Sequence, residues 1–221
     1  MMNKKILLAL STLMIAVMAC SFNTAKTPTA QAPSGAQVLF QDDFSNPDSG
    51  WDRAQSDFGS TDYSNGSFVI NIAKANIYIF ANPSQAFQND VRIEVDAVKA
   101  SGTVDNAFGA LCRYQDPDNY YFFEISSDGY VGIGINKAGV KTLLSSSDNN
   151  MVPDSSINQG DASNHLRVDC VGSTLTLYVN GTQAASVTDS SFTGGDTGVI
   201  AETFTVAGTE IQFDNFFVYK P

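Results

Sequence analysis

The chain has 221 residues, enough for one large domain or two small ones. With 43% hydrophobic and only 16% charged residues, it has the material for a sizeable core and is excluded from the disordered class. A net charge of -11 with no Lys/Arg cluster excludes nucleic acid as a partner, and one histidine with three cysteines excludes a structural zinc site.

Lys4 and Lys5 precede a thirteen-residue apolar run, Ile6 to Met18. That run is too short for a bilayer core, which needs about 20 residues, and suits a secretory signal peptide. It ends in Val17-Met18-Ala19-Cys20, which resembles the bacterial lipobox. The resemblance implies a signal peptide over residues 1–19 and lipidation of Cys20. Ser21 to Gln37 is rich in Ser, Thr, Ala and Pro with Lys26 as its only charge, so residues 20–37 read as a lipidated cysteine on a flexible tether. The expected location is extracytoplasmic, with the membrane engaged through the N-terminal lipid. Loss of residues 1–19 removes two lysines and no acids, taking the net charge from -11 to -13.

Residues 38–221 read as strands. Phe68, Ile70 and Ile72 alternate with polar or small neighbours after Asn65-Gly66, and Val91, Ile93, Val95 and Ala97 do so with Arg92, Glu94 and Asp96. Leu166, Val168 and Cys170 form one face, and Leu175, Leu177 and Val179 resume it after Gly172-Ser173. Asn180-Gly181 is a type I′ hairpin signal, Asp128-Gly129 marks a further turn, and Ile211 to Tyr219 is a long aromatic strand. About a dozen strands and no helix predict an all-β, antiparallel two-sheet sandwich.

Three features resemble the concanavalin A-like jelly rolls, including laminin G-like and 3-keto-disaccharide hydrolase domains. They are Phe40-Gln41-Asp42-Asp43-Phe44-Ser45 with Trp51, the stretch from Gly109 to Tyr121, and Leu175 to Gly181 with the closing Phe213-Asp214-Asn215. The resemblance implies a jelly roll over residues 38–221 and, near Asp43 and Asp214, a structural calcium shared by the first and last strands. It does not select an activity, because the fold carries lectins, hydrolases and adhesion modules.

The residues supply several candidates. In an exported protein Cys112 and Cys170 are expected to pair, closing a loop of about 58 residues for roughly 3 to 4 kcal/mol; the alternative is two reduced, buried cysteines. Glu94 and Asp96 invite comparison with laminarinase-type glucanases, but Val98 stands where a second glutamate belongs. His165 is the sole imidazole and has no nucleophile beside it in the sequence. Arg113, Tyr120, Tyr121, Glu124 and Tyr130 combine a planar cation, phenol rings and a carboxylate, the mixture that sugar recognition uses. If Gln115 pairs with Asn119, Arg113 lies opposite Tyr121 while Tyr120 and Glu124 share the other face. The leading expectation is a non-catalytic binder of a glycan or another surface polymer. The alternatives are a glycoside-cleaving enzyme and a structural or adhesion module that contacts protein.

Overall fold

Alternating apolar residues become strands wherever one face has a second sheet to cover it. In a computed structural model, which describes residues 37–87 and 90–221, sixteen strands form among the described residues and no helix does. In chain order they begin with β1 (Val38–Asp42), β2 (Ala54–Gln55), β3 (Gly59–Ser64), β4 (Ser67–Ile72), β5 (Ile77–Ala81) and β6 (Val91–Gly102). Next come β7 (Asn106–Asp116), β8 (Asn119–Ile125), β9 (Tyr130–Lys137), β10 (Val140–Leu143) and β11 (Val152–Pro153). The last are β12 (Asn164–Val171), β13 (Thr174–Val179), β14 (Thr182–Thr188), β15 (Asp196–Thr203) and β16 (Thr209–Tyr219). The signal peptide, Cys20 and the tether up to Ala36 lie outside the described residues.

Two antiparallel sheets result. One runs β14-β13-β12-β6-β16-β4-β3-β2, with β1 pairing the end of β16; the other runs β10-β9-β8-β7-β15-β5, with β11 on β9. Between them lies the core. The nine-stranded sheet supplies Phe68, Ile70, Val91, Ile93, Val95, Leu166, Val168, Leu175, Leu177 and Phe213. The seven-stranded sheet supplies Phe108, Ala110, Tyr121, Phe123, Ile125, Val131 and Ile133. The hairpin at Asn180-Gly181 forms with φ of 51° and 84°, the left-handed pair that a type I′ turn requires. Trp51, the single tryptophan, is buried against Phe44, Phe68 and Phe216, and its indole N–H donates to Asp42 Oδ2 at 3.0 Å.

The β7–β8 hairpin departs from the expected pairing. Asp116, not Gln115, faces Asn119, and the register then breaks before Cys112 pairs with Tyr121. The surplus residues of β7 bulge, with Arg113 at φ 52°. The bulge turns Arg113 inward, where it is 3% exposed and donates to the carbonyls of Phe192 (2.9 Å) and Gly172 (2.8 Å). Cys112 beside it is joined to Cys170 in a disulfide that ties β7 to β12 across the core.

Candidate functional site

Beyond the core, alternation sends every second residue of β8 to the outer face of the seven-stranded sheet: Tyr120, Phe122 and Glu124. Register sets Asn136, Gly134 and Gly132 of β9 opposite them in that order, and Lys141 of β10 opposite Asn136. A Cβ on Gly134 would stand 2.1 Å from the Phe122 ring, so glycine leaves the room that the ring occupies. Two strands away, Glu202 of β15 projects to the same side, and Tyr78 of β5 is its register partner.

Lys141 and Glu202 form an ion pair although their strands are four positions apart. On a flat sheet that separation is roughly 19 Å, more than the two side chains reach together. The sheet is therefore curled, and its outer face is a hollow that the Lys141 side chain crosses. The ammonium also lies 3.8 Å from Glu124 Oε2, with the ring centroids of Phe122 and Tyr78 at 4.4 and 4.9 Å.

The electrostatics of this trio follow from its burial. Glu124 is 3% exposed, and its Oε1 has no hydrogen-bond partner among the described residues. Desolvation pushes its carboxyl up to about 7, with the Lys141 charge pulling it back and Glu202 adding to the rise. Burial alone would lower the Lys141 ammonium, but Glu124 and Glu202 together hold it above its ordinary value. A carboxyl raised this way stabilises the fold fully below about 4.5, and that contribution is lost as pH rises through about 7. Lys141→Ala is accordingly expected to destabilise by about 2 kcal/mol at pH 8, where two carboxylates lose their shared cation, and by far less at pH 5, where Glu124 takes a proton. Thermal melts at the two pH values check this; an equal loss at both would contradict it.

Above Phe122 and Glu124 is a cavity of about 160 Å³, lined also by Lys141, Leu143, Met151 and Glu202. It adjoins a rim cleft of about 460 Å³ holding Asp105, Ser126, Asp128, Tyr130 and Asn150, and the two share Leu143, Asn149, Met151 and Phe204. Among the five residues that the sequence nominated, Glu124 thus lies on the cavity floor and Tyr130, 37% exposed, on the rim. Tyr120 shares their face but is fully buried under Phe80, Tyr114 and Phe122.

Arg113 and Tyr121 do not join them: Tyr121 takes the face that alternation sets opposite Tyr120 and Glu124, and Arg113 departs from its expected place across from it. The bulge carries Arg113 into the interior, and Tyr121 points into the core, its hydroxyl donating to Asp189 and accepting from the Phe192 N–H at 3.1 Å. Lys141, Glu202 and Phe204, which complete the hollow, come from segments 17 to 80 residues beyond Glu124, so no local pattern in the sequence marks them.

The other candidates lie on the opposite sheet. His165 Nδ1 is 2.8 Å from Asp96 and Nε2 is 3.7 Å from Glu94, and the hydrogen bond to Asp96, with the Glu94 carboxylate beside it, raises its pKa to about 9. The histidine is thus a charged ion-pair member on the outer face of the nine-stranded sheet. Asp214 is raised by burial and by the charges of Asp96 and Asp43. Asp43 accepts from the Ser45 amide at 3.1 Å. Among the described residues no group of three or more His, Cys, Asp or Glu side chains is arranged to hold a metal.

No protein-family model matches the chain, and neither does any curated protein. Solved structures do. The carbohydrate-binding module CBM66 from Bacillus subtilis superposes with a TM-score of 0.61 at 17% identity, over 77% of this chain and 96% of that one. A β-glucanase from Bacillus licheniformis gives 0.58 at 14%, over 86% and 100%. A protein of unknown function with a galectin-like fold, from Bacillus subtilis, gives 0.57 at 10%, over 83% and 96%. At these identities the likeness is one of architecture, and the chain has the concanavalin A-like jelly-roll fold that its sequence resembles.

Proposed function

We propose that this is an exported, lipid-anchored module that binds a glycan, without cleaving it, in the cleft between the Tyr130 rim and the Glu124 floor. One observation carries the reading: Glu124 lines the cavity, and its buried Oε1 has no hydrogen-bond partner among the described residues. A buried acceptor left unmet costs about 1–3 kcal/mol, and a ligand donor removes that cost. Phe122, Phe204 and Tyr130 offer apolar surface for the C–H faces of a sugar, while Asp105, Asp128 and Asn150 offer acceptors for its hydroxyls.

Topology favours display. The described chain enters at Gln37, whose carbonyl accepts from the Lys220 amide, and Val38 pairs with Tyr219 at one end of β16. The rim follows Gly102, which pairs with Thr209 at the other end of β16, roughly 33 Å away. A tether leading back to lipidated Cys20 would leave the cleft facing away from the membrane.

Glycan-array binding by the full chain in detergent, with and without a calcium chelator, tests the reading and, together with it, the structural calcium that the sequence resemblance implies at Asp43 and Asp214. Tyr130→Ala is expected to weaken binding about tenfold without lowering Tm. Unchanged binding by that variant would remove the cleft from consideration. Glycoside cleavage is favoured by one feature: Glu124 and Glu202 both approach one ammonium, and retaining hydrolysis uses two carboxyls about 5–5.5 Å apart. Lys141 stands between the two, however, where a scissile bond would have to sit. Release of reducing ends from the array ligands would favour the enzyme.

A further inference from the structure

We propose that the cavity beside Glu124 receives a free ammonium group, so that the ligand is a glycan carrying unacetylated amino sugars; this rests on the glycan-binding reading above. The charge balance of the hollow is the reason. Glu124 and Glu202 share a single cation, Lys141, and no other Lys or Arg lines the cavity or the rim cleft among the described residues. Lys141 is committed to Glu202, the nearer of the two, and at 3.8 Å from Glu124 Oε2 it is too far for a hydrogen bond. Glu124 lines the cavity with a side chain 97% buried, and its Oε1 has no hydrogen-bond partner among the described residues.

One further ammonium would make two cations for two carboxylates. It would also supply the donor that Oε1 lacks, as a charge-assisted bond of the stronger kind. The local surroundings already hold one ammonium in the same way, because Lys141 Nζ lies over the rings of Phe122 and Tyr78 as well as against the carboxylates. A neutral sugar would meet Oε1 with a hydroxyl and leave the charge deficit. A uronate or sulfated sugar would deepen it, since Asp105 and Asp128 add negative charge at the entrance.

The test is calorimetric titration of the full chain with glucosamine oligomers, N-acetylglucosamine oligomers and glucose oligomers of equal length at low salt. The free-amine oligomers are expected to bind about 10- to 100-fold tighter than the acetylated ones. Glu124→Gln, which keeps the shape and removes the charge, should abolish most of that preference, and Glu202→Gln should reduce it. Equal affinities, or a preference that survives both substitutions, would overturn the amine assignment and leave glycan binding standing. Failure of every glycan on an array to bind would overturn both.

Discussion

Replacing Arg113 with alanine is expected to destabilise the domain by about 3–5 kcal/mol, read from urea unfolding followed through the fluorescence of Trp51. The guanidinium donates to the carbonyls of Phe192, Gly172 and, at 3.4 Å, Cys170, and it pairs with Asp90 at 3.2 Å. The Asp90 pair contributes little, because that carboxylate is 43% exposed and solvent-screened. The loss comes from the carbonyls, because one planar guanidinium serves several of them at once. Arg113→Lys should recover only a fraction, since one ammonium cannot reproduce the fork that spans these positions. A cost below about 1 kcal/mol for the alanine variant would show that water replaces the guanidinium, and that the inward bulge is incidental to stability.

The second large effect is expected on removing the Cys112–Cys170 disulfide. The sequence separation is 58, and the chain-entropy model gives about 4 kcal/mol for a loop of that length. The paired Cys→Ser variant, compared with the oxidised wild type in the same urea titration, measures it. Both the bridge and Arg113 fasten β7 to the end of β12, one through Cys170 Sγ and the other through the Cys170 carbonyl. Their losses are therefore expected to be non-additive, with the triple variant less destabilised than the separate costs imply. Strict additivity would mean that the two ties act on independent parts of the fold.

The contrast between these effects and the binding cleft shows what a one-dimensional reading contains. Period-two runs such as Val91–Ala97 and Leu166–Cys170 determine which side chains face the core, and all seven of those apolar residues are buried. Asn180-Gly181 specifies its hairpin because its backbone requirement is local. Tyr120 and Glu124 share a face for the same reason: they are four residues apart in one strand. Alternation does not place Arg113, because a bulge shifts side chains out of the period-two register. Lys141 and Glu202 carry no local mark for a different reason. Each is an unremarked charge in its own strand, and only the curl of the sheet brings β10 against β15. The fold was legible because it rests on periodicity, whereas the site depends on curvature that long-range packing imposes.

Oxidative footprinting of the full chain with its best array glycan bound tests the central claim most directly. Tyr130 and Met151 border the cleft, while Phe58 and Tyr178 serve as reporters on other surfaces, in the edge groove by β3 and on the outer face of the nine-stranded sheet. Glycan lodged over Glu124 should protect Tyr130 and Met151 and leave the two reporters at their free-protein rates. Protection of Tyr178 or Phe58, with Tyr130 and Met151 still fully reactive, would place the ligand elsewhere and contradict the assignment.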